Sequence, residues 1–422
     1  MKRLLSLAVL ICILFCGCGI GDVIDGIGDV VDDIGNELGQ LVGTENRLLT
    51  AADSTVKLNI YPDGCGYTQT VGGYLFDQLN PEQQSCYIKI DNAIFSMQTG
   101  DVNIGDCSRK DFELVYQCVR RDRPEYFWLP VNYAWKGTGA SFSVIFAESE
   151  SDWLYTAAER KKIEAEIKKV LIEFSGSLPK TATDYDLELF AHDWLAERVT
   201  YSKVALSDYE KYEDAWNIKG AFIDGSIVCE GYTKAMQVLL NMLGVENTPA
   251  TGVTDGPHMW NMVKLDGEWY HLDATSNDSD RDVRHFFFNV TDENLLCDRT
   301  IDPDISSLKD GDIDEVTFNF ALPKATSIKM NYYVKNGTYV SSADKVSAVL
   351  ADAVLKAMSD GKDFVEIGFA PSVGVAGMDN IAKGLALKKN FDKINARLQP
   401  ADRIRTYSWA TVNGASAIVI SW

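Results

Sequence analysis

Apolar residues recur every three to four positions over 73–98, 110–121, 155–175 and 183–199, a spacing that predicts four helices. Tyr126–Leu129 and Ala140–Phe146 carry short aromatic and β-branched runs that read as strands. The clearest patterns lie in the middle of the chain. An Ala/Leu/Met-rich helix begins just after Cys229 and stops at Gly244, a glycine placed as a C-cap. Two alternating runs, His258–Leu265 and Glu268–Asp273, flank Asp266-Gly267, a strong two-residue hairpin signal. After Asp302 the chain turns acidic and turn-rich. Beyond it, Ile328–Val334 reads as a strand, Ala343–Met358 as a helix, Phe364–Phe369 as a strand and Met378–Leu398 as a helix. Ile404–Trp409 and Ala417–Trp422 read as strands around Asn413-Gly414, a second hairpin signal. Antiparallel hairpins among separate helices make the fold class α+β.

The first residues follow another logic. Met1-Lys2-Arg3 precedes an apolar run, Leu4–Phe15, that is too short to span a bilayer and suits a signal core. Phe15-Cys16-Gly17-Cys18 then resembles the lipobox of bacterial lipoproteins, with Phe15 where that motif usually has Leu. The resemblance implies a signal peptide at 1–17, lipidation of Cys18, and an exported protein, periplasmic or cell-surface, anchored to a membrane without spanning it. Residues 18–48 are rich in Gly and Asp. Their apolar positions have helical spacing, but six Gly between 19 and 39 each cost about 1 kcal/mol relative to Ala in a helix, so the stretch reads as a tether.

Composition sets the remaining bounds. At ~100–200 residues per domain, the 422-residue chain holds several units. The reading is an N-terminal α+β domain at 49–150, a middle domain at 151–302, a linker at 303–315 and a C-terminal α+β domain at 316–422. Lys plus Arg number 40 against 61 Asp plus Glu, a formal charge of −21 that argues against nucleic-acid partners. The oligomeric state is open. Cys65, Cys86, Cys107 and Cys118 fall in the N-terminal unit of an exported chain, which suggests two disulfides with three possible pairings. Cys297 has no obvious partner and reads as a buried thiol. Asp278–Asp282 starts like a calcium loop, but Val283 stands where Gly is required and Asn289 where Glu is required, so it reads as a solvated loop.

The candidate chemistry lies between 200 and 300. A helix starting just after Cys229 puts its sulfur beside free backbone N–H groups and the positive end of the helix dipole, which favour thiolate. With 266–267 as the loop, residues whose numbers sum to 533 face each other: Trp260 opposite Asp273, His258 opposite Thr275, His271 opposite Met262. His258 and Asp273 are then diagonal neighbours on one face, ~7–8 Å apart by backbone, a gap that side chains bridge. A carboxylate so placed fixes the tautomer of an imidazole. His271 lies on the same face and competes with His258 for the role. His192 and His285 read as structural.

Gly225-x-x-Val-Cys229-Glu-Gly-Tyr, a helix ending at Gly244-Val, His258-x-Trp-Asn and Asp-Gly-x-Trp-Tyr-His-Leu-Asp273-Ala-Thr together resemble the transglutaminase-like superfamily over about 180–300. Ala274 departs from the Pro that many members carry. Arg121–Trp128 resembles a segment ahead of the domain in some bacterial exported members. The resemblance implies a papain-like core, a nucleophile-bearing helix packed on an antiparallel sheet. Cys229 would be nucleophile, His258 general base and acid, and Asp273 its orienter. The Cys229 N–H would be one oxyanion donor, and Tyr201, Trp216 or Asn217 the other. No cofactor or metal is implied; a zinc site from Cys229, His258, His271 and Asp273 fits the pattern less well. The expected activity is acyl transfer on amide or peptide bonds of a protein or peptide substrate, as protease, amidase or transamidase. The alternative is a non-catalytic surface lipoprotein that uses the fold to bind peptide or glycan.

Overall fold

The computed structural model describes residues 73–301 and 320–422, apart from 106, 131, 139–140, 180, 280–281, 298, 343–344, 374–384 and 412–416. The signal peptide, the tether, Cys18, Cys65 and the 303–315 linker lie outside the described residues. No described helix is long and apolar enough to cross a membrane.

Helix α1 (Pro81–Phe95) starts in a reciprocal cap in which the Asn80 side chain accepts from the Gln83 amide and Gln83 returns the bond. Helix α2 (Arg109–Asp122) packs against it and is followed by the hairpin β1 (Ala134–Thr138) and β2 (Ser141–Ile145). Between them, Tyr126–Leu129 forms successive turns and not the expected strand. The aromatics there bury as a cluster, with Trp128 against both Tyr126 and Phe127, while Tyr126 donates to the Asp91 carboxylate at 2.6 Å and the Trp128 indole to the Ile94 carbonyl at 3.1 Å. Arg123 grips Asp91 through two bonds of 2.8 and 2.7 Å, both partners fully buried. The segment is thus a set of side-chain plugs over α1 and forms no ladder.

Helices α3 (Ala157–Ser177) and α4 (Asp184–Arg198) follow, each opened by a Thr capping box. A short parallel pair, β3 (Thr200–Tyr201) and β4 (Ser226–Ile227), leads to α5 (Cys229–Met242). The antiparallel sheet beside α5 is ordered β8-β7-β6-β5-β9, with β5 Asn247–Val253, β6 Pro257–Leu265, β7 Glu268–Leu272, β8 Phe288–Val290 and β9 Thr300–Ile301. One apolar core runs from Leu75 in the N-terminal unit through α5 to Phe288.

The β6–β7 register pairs Met262 with His271 and Asn261 with Leu272, the alignment expected from the loop position. Asp266 and Gly267 have φ of 50° and 80°, the left-handed pair of a type I′ turn.

The C-terminal unit has β10 (Tyr339–Val340), α6 (Val346–Ser359), β11 (Phe364–Phe369), α7 (Leu385–Asn395), β12 (Ser408–Thr411) and β13 (Ala417–Ser421), with sheet order β10-β11-β13-β12. Its core is separate, built on Leu350, Val354, Ile367, Phe391 and Ile418. Ile328–Val334 is not the expected strand: Asn331 caps a short helix at Tyr332–Asn336, and Gly337, with φ of 72°, ends it. The Asn inside the apolar run supplies the start of a helix that strand periodicity hides.

The disulfide expectation is also corrected. Cys86, Cys107 and Cys118 are free, buried thiols. A hydrogen bond to Cys107, reinforced by burial, pushes the Cys86 thiol well up, and burial does the same to Cys118. These side chains act as small apolar core residues.

Candidate active site

The entry to α5 is pinned on both sides. Val228 donates to the Ala215 carbonyl at 2.9 Å, and Ser202 donates to the Ile227 carbonyl at 2.8 Å. Gly231 lies against this entry: a Cβ there would sit 2.5 Å from the Ala215 oxygen and 2.8 Å from Ile227 Cβ. Gly231→Ala therefore forces the helix start away from its support. We expect it to cost about 1–3 kcal/mol as overpacking, read by chemical denaturation, and to lower turnover as well.

At the head of this helix Cys229 is partly exposed. The His258 ring, on β6, lies near enough to its side chain to interact with it electrostatically. The other side of the same ring meets Asp273, with Nε2 and Oδ2 2.8 Å apart. Since Nε2 is engaged by the acid, Nδ1 is the nitrogen left for sulfur. Asp273 sits just past β7, fully buried, capping the short turn Ala274–Asn277. Its oxygens accept from the Ser276 amide at 3.0 Å, the Ser276 hydroxyl at 2.6 Å and the Arg299 guanidinium. The three residues singled out by spacing are thus neighbours: the imidazole is bonded to the carboxylate and lies near the thiol.

The charges follow from the contacts. Burial would lower the His258 pKa, but the Asp273 charge and hydrogen bond, with help from Cys229, push it up to about 10. Burial would raise the Asp273 pKa; His258 and Arg299 instead hold it well below the usual carboxylate range. The ring and the acid are an ion pair at neutral pH.

The model of the transglutaminase-like superfamily matches residues 175–274, a span that includes Cys229, His258 and Asp273. Residues 175–274 form a transglutaminase-like domain. Two solved structures are similar over part of their length. One is a TGase, 15% identical, with 39% of this chain and 49% of that chain covered and a TM-score of 0.26. The other is a protein from Cytophaga hutchinsonii assigned as a cysteine protease, 17% identical, with 33% and 41% covered and a TM-score of 0.23. The chain spans less than half of either. A comparison with curated proteins found no match.

Other histidines around the transglutaminase-like domain are occupied. His271 accepts from the Trp260 indole at Nδ1, 3.0 Å, and meets Asp292 through Nε2 at 2.9 Å. Both nitrogens are used inside the core, and burial lowers its pKa. His192, Asp193 and His285 offer three ligand atoms within 4.8 Å of one another, a spacing a metal could use. The donor set argues otherwise. Asn277 Oδ1 accepts from the Phe287 amide, so its Nδ2 faces His192 Nε2 at 3.0 Å. That bond places the His192 proton on Nδ1, the very atom a metal would need, where it meets Asp193 Oδ1 at 2.8 Å.

Among the oxyanion candidates, Asn217 is spent on local caps: its amide donates to Asp214 at 3.2 Å and its oxygen accepts from the Lys219 amide at 2.8 Å. Trp216 packs on Tyr209, centroids 4.6 Å apart. Tyr201 is the candidate whose hydroxyl pKa is raised by partial burial and by the charges of Cys229 and Asp273, and it is 37% exposed. Sequence reasoning missed Ser276 and Arg299. Ser276 carries a signal in hindsight, since Asp-x-x-Ser is a capping pattern; Arg299 carries none.

Proposed function

We propose that the protein is a thiol acyltransferase acting on amide or peptide bonds, exported and tethered to a membrane through Cys18. The observation that supports this most is the His258 ring bonded to a buried carboxylate and lying near the thiol at the head of α5. The lipobox-like run and the tether behind it support the anchor.

In the proposed reaction the Cys229 thiolate attacks the substrate carbonyl carbon and forms a C–S bond. The negative charge moves to the carbonyl oxygen, which the Cys229 amide and the Tyr201 hydroxyl stabilise. As the C–N bond breaks, His258 gives its proton to the leaving amine. A thioester remains. Water or a second amine then loses a proton to His258, attacks the thioester and frees the thiol. Water makes the activity a protease or amidase; an amine makes it a transamidase. Asp273 keeps the imidazole turned and its charge balanced throughout.

The test is to trap the intermediate. Purified protein is mixed with a casein digest, quenched in acid and weighed intact. Peptidyl adducts that hydroxylamine removes, absent from Cys229→Ala, are expected. Peptide cleavage that proceeds equally in Cys229→Ala contradicts the proposal. Tyr201→Phe is expected to lower kcat about 10-fold or more with KM little changed, as loss of one oxyanion donor does; initial-rate kinetics check it.

A further inference from the structure

The His258 ring has a second neighbour on its own strand. Trp260 lies two residues along β6, on the same face, and is buried. The two rings have centroids 5.8 Å apart and planes inclined by 26°, an offset stack. The Arg299 guanidinium carbon is 5.5 Å from the indole centroid. The indole thus stands beside both cationic partners of Asp273, and an aromatic face beside a cation favours its charge.

The indole is itself held from β7. Its N–H, which can only donate, meets Nδ1 of His271 at 3.0 Å, with both side chains buried. Nδ1 is therefore the bare nitrogen of His271, and the proton sits on Nε2, where Asp292 Oδ1 accepts it at 2.9 Å. That acid is fixed in turn. The Asp292 amide donates to the Ala325 carbonyl at 2.7 Å, the Ala325 amide returns a bond to Asp292 Oδ1 at 3.2 Å, and Lys324 Nζ is 3.8 Å from Oδ2. The far edge of the indole is closed in as well. Gly252 pairs with His258 across β5 and β6, and a Cβ there would sit 2.7 Å from the indole Cη2. Any carbonyl could satisfy a core indole. Here the acceptor is an imidazole whose own proton is directed by an acid, so the indole has one orientation.

We propose that His271 is a positioning residue for the reaction: backed by Asp292, it holds the Trp260 indole, and the indole holds the His258 ring in the plane that serves Asp273 and Cys229 together. This rests on reading Cys229 and His258 as nucleophile and base, so the test carries one readout that does not use the thiol's reaction.

The chain has four His, so their ring titrations are followed by NMR in full-length protein labelled with ¹⁵N-histidine, His258 being assigned by His258→Gln. Iodoacetamide labelling at pH 7 of Cys229 against Cys297, a free exposed thiol, is measured alongside. An Asn carbonyl reaches the place of Nδ1, a Gln carbonyl that of Nε2, and Leu offers neither. His271→Asn is expected to keep both readouts near wild type. His271→Leu and His271→Gln are expected to lower the His258 midpoint by about one unit and to cut the labelling lead of Cys229 from about tenfold to about threefold or less. If His271→Leu does not fold, Trp260→Phe, which keeps a ring beside His258 without the N–H, is expected to give the same result. A loss shared equally by Asn, Gln and Leu overturns the proposal, because a merely structural histidine behaves so. A midpoint that moves as expected in a protein whose wild type shows no labelling lead leaves the positioning standing and sinks the thiol-enzyme reading. A wild-type lead with an unmoved midpoint in His271→Leu does the reverse.

Discussion

Cys229→Ser is expected to lower turnover by about 10⁴-fold or more while the protein stays folded. Removing one member of a nucleophile–base–acid set leaves only the catalysis that binding and oxyanion donors supply. The substitution exchanges sulfur for oxygen at a partly exposed position, and the bond from the Thr233 hydroxyl to the residue-229 carbonyl, 2.8 Å, is untouched. Stability should therefore change by less than about 1 kcal/mol, read by chemical denaturation beside the initial rates. A Cys229→Ser protein that retains every measurable phenotype would favour the non-catalytic scaffold.

The second large effect belongs to Asp273→Asn. The acid holds the imidazole from β6, accepts both bonds from Ser276 and faces the Arg299 guanidinium, all with Asp273 fully buried. Removing its charge breaks a buried ion pair, which costs about 3–5 kcal/mol, and is expected to lower kcat about 10⁴-fold. The pH profile should move with it. In the wild type, His258 keeps its proton up to about 10, so the basic limb of the rate lies near there. Without the carboxylate that limb should fall toward the ordinary imidazole value of 6.5. Arg299→Met is the control, sharing the stability loss and retaining the high basic limb.

The same pair ties stability to pH. The folded-state pKa of His258 lies above its ordinary value. Its stabilising contribution is therefore full below 6.5 and is lost as pH rises through about 10. Asp273 has the opposite shift, so its contribution holds above its ordinary 3.8 and is lost as pH falls below that range. A wild-type unfolding midpoint that declines between pH 6.5 and 10, with Asp273→Asn flat over that interval, is the expected record.

The site was legible because it is local. Asp266-Gly267 dictates a turn, the turn dictates register, and register alone brings His258 and Asp273 to one face. The helix after Cys229 announces itself by composition and by Gly244. Arg299 is different: it reaches Asp273 from 26 residues further on, and no periodicity or spacing points there. Tyr126–Leu129 shows the opposite failure. Its residues have strand propensity, yet they lie between Pro124 and Pro130 with no ladder partner, and their rings pack together in the core. The cysteines of the N-terminal unit were read through the compartment implied by the signal, whereas Cys86, Cys107 and Cys118 are packed as free thiols.

Alkylation rates of two thiols in one molecule test the central claim most directly. Cys297, expected to be buried, is instead a free, exposed thiol whose sulfur donates to the Glu293 carbonyl at 3.4 Å, and so serves as the internal standard. With iodoacetamide at pH 7, Cys229 should be labelled at least about tenfold faster than Cys297 despite being less exposed, and His258→Gln should erase that lead. Equal labelling of both sulfurs in the wild type, or a lead that survives His258→Gln, would contradict the account.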